Sequence, residues 1–274
     1  MDAADLASIV GDRTRRTQWL RKAETVKRSI NKMLWSEEKG IYVHGRIGKQ
    51  LMPKVAVHDS VLAAYAGVAP QERITRSFAT LFGSPSTDAI QIGTPYFYFF
   101  YLQALRGAGM HHEALVAIRD AYGKMLQAGA TTWWEHLSGH ASLSHGWGAA
   151  PNFDLSAYVL GVKPTEPGFT AFRVEPQPAD LKWAKGVVPT VRGDIEVEWK
   201  RDAERFELRV NVPMKAGIEI SVPAVGLKTT KLSGSRTAER RGFREGRAHY
   251  WLTGPGSFEV HSVLSASPPL GEIK

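Results

Sequence analysis

One change of period organises this chain: up to about Pro164 apolar residues recur every three or four positions, and beyond it they alternate with polar ones. In residues 17–35 the apolar set is Trp19, Leu20, Ala23, Val26, Ile30, Met33 and Leu34, the spacing of one buried helix face, so a helix is predicted to end near Trp35. "SEEKGIY" follows as a turn, with Gly40 as the breaker. Further helices are predicted over 55–66, 71–82, 95–107 and 111–128, separated by "GVAPQE", "GSPSTDAIQIGTP" and "GAGMH". Short loops between successive helices make antiparallel neighbours, so this half reads as stacked helical hairpins. Downstream, "GDIEVEWK", "RFELRVNVP", "GIEISVP" and "GSFEVHSV" alternate over strand-length runs between Gly, Pro and Asp clusters. They predict an all-β module, most simply a sandwich. In "GVKPTEPGF", Pro164 and Pro167 are expected to stop the last helix and Gly168 to allow the turn. The expected organisation is multidomain, α then β: a helical region over 1–165, a sandwich over 166–265, and a frayed tail over 266–274.

A length of 274 residues accommodates two such domains. Composition, at 43% hydrophobic and 23% charged, is that of a globular chain. No apolar run approaches the roughly 18–20 residues that cross a bilayer, and no membrane association is expected. "MDAADLASIVGDRTRRTQWL" lacks the pattern of a secretory signal, which points to the cytoplasm. Cys is absent, excluding disulfides, thiolate nucleophiles and cysteine metal sites. The net charge of +8 would suit an anionic partner. Yet the basic clusters in "DRTRRTQWLRKAETVKR" and "RTAERRGFREGRAH" are interleaved with acids and carry no nucleic-acid motif, so they read as solvated faces and no nucleic acid is expected.

Chemistry concentrates in "AGATTWWEH", where Trp133 and Trp134 run directly into Glu135 behind a turn-rich stretch. A carboxylate against indole faces loses water, which raises its pKa and suits it to proton transfer. Trp133 and Trp134 also offer a surface on which a sugar's apolar face stacks. On spacing alone the alternative stays open that both indoles belong to a core and Glu135 caps a helix or pairs with a base. Ten positions on, "SLSHGWGAAPNF" supplies His145 and Trp147 between Gly146 and Gly148, ahead of a helix start marked by Pro151 and Asn152. The intervening "HLSGHASLS" is rich enough in Gly and Ser to fold back and bring His145 to Glu135. His111 and His112 open a helix without a third ligand, so no metal is expected there, and His44 and His58 stand isolated. No phosphate-cradling glycine loop or Gly-x-Ser-x-Gly turn occurs, and no cofactor is expected.

"IGTPYFYFFYLQALRGAGMHHEAL", "MLQAGATTWWEHL", "SLSHGWGAAPNFDLSAYVLGVKPTEPGF" and "FRVEPQPADLKWAKGVVPTVRGDIEVEWK", in this order, resemble the C-terminal part of bacterial α-L-rhamnosidases of glycoside hydrolase family 78. The resemblance covers nearly the whole chain, most strongly residues 93–200. It implies that the first half is the later part of an (α/α)6 barrel and the second its C-terminal β-sandwich. It further implies that Glu135 is the general base of an inverting hydrolysis of terminal α-L-rhamnose from glycosides, that His145 contacts the sugar, and that Trp133 and Trp134 wall the pocket. The family's general acid belongs to an Asp/Arg/Glu-rich motif with no equivalent in residues 1–134; Asp59 in "HDSVLAAY" does not match it. A twelve-helix barrel also needs more chain than the roughly 160 helical residues present, at about 11–12 residues per helix plus loops. The resemblance therefore implies a fragment with little or no turnover by itself: either an excised or truncated piece, or one part of an enzyme completed by a chain that supplies the missing barrel half. A non-catalytic carbohydrate-binding module and a structural remnant are the alternatives.

Overall fold

The fold is described from a computed structural model, which covers residues 2–83, 89–234 and 238–265. Contacts divide the chain into two compact units, Met1–Ala150 and Pro151–Lys274.

The first unit carries α1 (Asp2–Ile9), α2 (Arg13–Met33), α3 (Val57–Tyr65), α4 (Gln71–Phe82), α5 (Pro95–Gly107) and α6 (His111–Gln127). Two small hairpins, β1 (Trp35–Ser36) with β2 (Ile41–Tyr42) and β3 (Arg46–Ile47) with β4 (Gln50–Leu51), fill the stretch between α2 and α3. The four helices expected from 55 to 128 appear within two residues of their sequence bounds. Each has an apolar face to bury: Val57 and Val61 of α3, Phe78 and Leu81 of α4, Phe97, Leu102 and Leu105 of α5, and Ala114 of α6 share one core. Pro95 opens α5, where its missing N–H leaves no backbone bond unmade.

Helix α2 departs from expectation. Its start is capped by Asp12, whose side chain accepts from Arg15 N at 2.8 Å, but none of its 21 residues is buried. It packs chiefly on α1, itself burying only Ala4 and Ala7, so Trp19, Val26 and Met33 stay 43%, 48% and 43% exposed. Trp35 lies beyond the helix in β1, buried beside Tyr42.

The second unit is a sandwich of two five-stranded sheets. Its strands are β5 (Val162–Pro164), β6 (Ala171–Val174), β7 (Trp183–Val188), β8 (Ile195–Arg201), β9 (Arg205–Val212), β10 (Gly217–Pro223), β11 (Thr230–Ser233), β12 (Glu239–Arg244), β13 (Arg247–Thr253) and β14 (Gly256–Val263). One sheet runs β12-β13-β10-β6-β5 and the other β11-β14-β9-β8-β7; neighbours are antiparallel except the parallel pair β10 and β6. The alternation read from sequence is the burial pattern: Phe206, Leu208, Val210 and Val212 of β9 face inward, as do Ile195, Val197 and Trp199 of β8 and Ile218, Ile220 and Val222 of β10.

The contact division falls ahead of the boundary expected at 165/166. A short helix α7 (Ala150–Asp154) continues into one π-helical turn, Leu155–Val159. That turn is fastened to the sandwich, because the buried indole of Trp199 donates to Val159 O at 2.8 Å. At Gly161, φ is +84° and a Cβ would lie 2.2 Å from the Glu175 carbonyl carbon, so only glycine lets the chain pass. Pro164 does not end a helix. It sits in β5 at the edge of its sheet, the position in a sheet that tolerates a missing donor. The expected tail, 266–274, lies outside the described residues.

Candidate active site

The site lies in the first unit, where three chain segments are tied together at the N-terminal ends of α3 and α5. Val57 N donates to Ile90 O at 3.1 Å and Ile90 N to Val55 O at 2.9 Å, joining the entries to these helices. Leu137 N donates to Gly93 O at 3.1 Å, adding the segment that carries Glu135. A Cβ at Gly93 would stand 3.1 Å from His136 Nε2, so a larger residue there would push that imidazole aside.

The stretch from 132 to 145 folds back on itself as the Gly and Ser content anticipated. Glu135 N donates to Ser142 O and His145 N to Trp133 O, each at 2.8 Å, and the Thr132 hydroxyl bonds Leu143 O. Gly139, at φ +72°, makes the turn. This pairing sets Glu135 Oε2 3.9 Å from His145 Nδ1 and 3.3 Å from Ser142 N, which donates to it. The Glu135 side chain stays 36% exposed, so its carboxylate is both positioned and reachable.

The two tryptophans before Glu135 are half-buried. Trp133 meets the buried Tyr122 edge-on, centroids 5.0 Å apart, and both indoles pack on the cluster of Ala121, Tyr122 and Met125. Trp134 lies under the turn at Gly139, where a Cβ would come within 2.9 Å of its ring. The indoles thus anchor the segment that ends in Glu135. Half-exposed aromatic surface comes instead from Trp147 and Tyr96, 50% and 49% exposed, with centroids 5.4 Å apart. Trp147 also lies 4.4 Å from the His145 ring at 38°. In the sequence, only its place just inside a helix led by Pro95 marks Tyr96.

His44 and His58, isolated in sequence, are not isolated in space. His44 Nδ1 stands 3.3 Å from Asp59 Oδ2, and His58 packs on Phe97 with centroids 4.2 Å apart. Burial raises the Asp59 carboxyl above its ordinary range, against the lowering effect of His44, and burial lowers the His58 imidazole. Among the described residues no group of three His, Cys, Asp or Glu side chains is placed to hold a metal ion. None of the described helices is long and apolar enough to cross a membrane.

A carboxylate reachable from solvent and an imidazole beside it, with aromatic faces nearby, combine polar groups with apolar surface, as small-molecule sites do. Residues 1–155 match the model of the bacterial α-L-rhamnosidase six-hairpin glycosidase domain, and residues 161–236 that of the bacterial α-L-rhamnosidase C-terminal domain. The chain belongs to the bacterial α-L-rhamnosidase family. An α-L-rhamnosidase of Alteromonas sp. (strain LOR) is 35% identical over an alignment covering 35% of this chain and 12% of that protein. The family 78 rhamnosidase of Bacillus sp. GL1 superposes with a TM-score of 0.71 at 33% identity, over 79% of this chain and 24% of its own. The Streptomyces avermitilis α-L-rhamnosidase, solved with L-rhamnose, shares the fold with a TM-score of 0.73 at 16% identity, over 94% of this chain and 25% of its own. The rhamnosidase family and the order of helices before sandwich are those expected from the motifs, and the chain spans a quarter or less of each of these relatives.

Proposed function

We propose that this chain carries the general-base part of an inverting α-L-rhamnosidase site, acting on terminal α-L-rhamnose of glycosides. One observation carries the reading: Glu135 is held by a loop folded back on itself, partly exposed, with His145 Nδ1 3.9 Å away, beside the N-terminal ends of α3 and α5. In this role the Glu135 carboxylate takes a proton from water as the water oxygen attacks the anomeric carbon, on the face opposite the leaving oxygen. His145 positions a sugar hydroxyl, and Trp133 and Trp134 hold the segment that carries the carboxylate and shield its inner side.

Inversion needs a second carboxyl roughly 6.5–9.5 Å from the first to protonate the leaving oxygen. We assign that group to helical hairpins outside these 274 residues, in the same polypeptide or another chain. Two features support this assignment: the partial coverage of the relatives, and the exposed Trp19, Val26 and Met33 of α2, an apolar face of the kind that seeks a partner. By itself the chain then turns over little or no substrate.

The test is hydrolysis of p-nitrophenyl α-L-rhamnopyranoside by the chain, with and without a separately expressed segment holding the upstream hairpins and acid motif of a full-length relative. Turnover is expected only on mixing, and Glu135→Gln should lower it by about 10²–10⁴-fold. Turnover that survives this substitution refutes the assignment of the base. L-Rhamnose binding without turnover on mixing favours the non-catalytic carbohydrate-binding reading.

A further inference from the structure

We propose that Trp147 and Tyr96 form the surface on which the group attached to the rhamnose rests, and that this surface sets which leaving groups the site accepts. The inference rests on the assignment of Glu135 and His145 to the sugar site. The ligand chemistry it names is a flat, apolar ring face, whether of an aromatic aglycone or of a second pyranose.

The order of side chains carries the argument. Glu135 lies beside His145, and the His145 ring in turn lies 4.4 Å from the indole of Trp147, inclined by 38°. Beyond Trp147 stands Tyr96, 5.4 Å away and inclined by 60°. If Glu135 acts at the anomeric carbon and His145 at a hydroxyl of the same sugar, Trp147 borders the residue that holds the sugar and Tyr96 borders Trp147. The sugar removed is terminal, so its only attachment beyond the anomeric oxygen is the leaving group.

Exposure and backbone agree with this use. An indole and a phenol each half exposed are costly to leave in water, and a ring stacked on them recovers that apolar area. Two rings inclined by 60° make a corner, a shape that accepts a flat group against one wall and stops it at the other. The flanking glycines act differently. Gly146 has nothing within 4 Å of where a Cβ would be, leaving room on that side of the indole, whereas Gly148 packs tightly against Trp133 and Pro95 and fixes where Trp147 projects.

Equilibrium binding to the full 274-residue chain tests the proposal, with L-rhamnose, methyl α-L-rhamnoside, phenyl α-L-rhamnoside and an α-L-rhamnosyl-glucose disaccharide as probes, titrated by calorimetry or ligand-observed NMR. Trp147→Ala should weaken the phenyl glycoside about three- to tenfold, the range of one aromatic contact, and leave L-rhamnose within twofold. Trp147→Phe should restore most of the loss. A comparable loss for the disaccharide marks a pyranose as the natural occupant, while a loss confined to the phenyl glycoside marks an aromatic aglycone. Thermal unfolding of each variant reports on folding, and Tyr96→Ala gives a second, smaller loss at the other wall. Equal affinity of Trp147→Ala and the parent for both extended ligands, with L-rhamnose binding intact and sensitive to His145→Ala, overturns the proposal and leaves the sugar site standing. Failure of the parent chain to bind any probe overturns the sugar site and this surface together.

Discussion

The two glycines that flank Trp147 should respond in opposite ways to the same substitution. At Gly148 a Cβ would fall 2.9 Å from Trp133 Cβ and 3.3 Å from both Pro95 Cβ and Trp134 O. Favourable carbon contacts begin at about 3.5–4.0 Å, so Gly148→Ala forces the segment carrying Trp133, Trp134 and Glu135 away from the turn carrying His145. Overpacking of this kind costs about 1–3 kcal/mol, set against about 0.4–1 kcal/mol that alanine gains by restricting the unfolded chain. The net loss is roughly 1–2 kcal/mol, a fall of roughly 2–8 °C in Tm for a unit of this size. Gly146→Ala meets nothing within 4 Å and should hold or slightly raise Tm. The assay is thermal unfolding followed by near-ultraviolet circular dichroism, paired with L-rhamnose titration; binding should weaken in Gly148→Ala and persist in Gly146→Ala. A Gly148→Ala chain that unfolds and binds like the parent, or a Gly146→Ala chain that loses as much, refutes the claim that this close approach holds the carboxylate and imidazole together.

Other outcomes follow from the second unit. Trp199→Phe keeps an aromatic ring stacked near Phe206 but removes the donor to Val159 O, and should destabilise the sandwich by about 1–3 kcal/mol in urea unfolding; an unchanged midpoint would show that the 155–160 turn does not depend on this bond. His249 is buried on β13, and burial followed by the nearby Arg244 lowers its pKa, with Glu219 and Glu175 opposing. A lowered folded-state value means that the unfolded chain binds the proton more readily, so this contribution is intact above the ordinary histidine value of about 6.5 and is lost as pH falls through it. The Tm of the sandwich should therefore drop between pH 7.5 and 5.5, and His249→Phe should flatten that drop; an equally steep drop in the variant assigns the acid sensitivity elsewhere. Replacing Leu105, fully buried in the helical core, with Ala should cost about 2–5 kcal/mol, measured by the same unfolding, and a smaller loss would mean that the core collapses around the gap.

Much of the local structure is legible along the chain. Helices α3 to α6 and strands β8, β9, β10 and β14 carry their own period, and each lies close to its expected bounds. Edge and partner strands were harder to read: β7 exposes Trp183, Lys185 and Val187 on one side, and β12 buries nothing, so neither shows the apolar alternation that marks a half-buried strand. Glu135 and His145 were legible because only ten positions and a Gly- and Ser-rich loop separate them. Tyr96 was not, since its partner Trp147 lies on a different segment, and the His44 and Asp59 pair likewise needs a hairpin and a helix start to meet.

The amino-acid order by itself determined which stretches are helix and which are strand, where the carboxylate and imidazole sit, and, through several motifs in sequence, the family. Those properties depend on neighbours a few positions apart, and such information is carried in period and spacing. Only the tertiary structure decided that α2 buries no face within its unit, that Pro164 lies in an edge strand, that Trp133 and Trp134 anchor Glu135 from a packed cluster while Trp147 and Tyr96 keep open faces, and that Gly148 rather than Gly146 is the close contact. Each of these depends on which distant segment lies against a given side chain, a relation set by packing and absent from any short window of sequence.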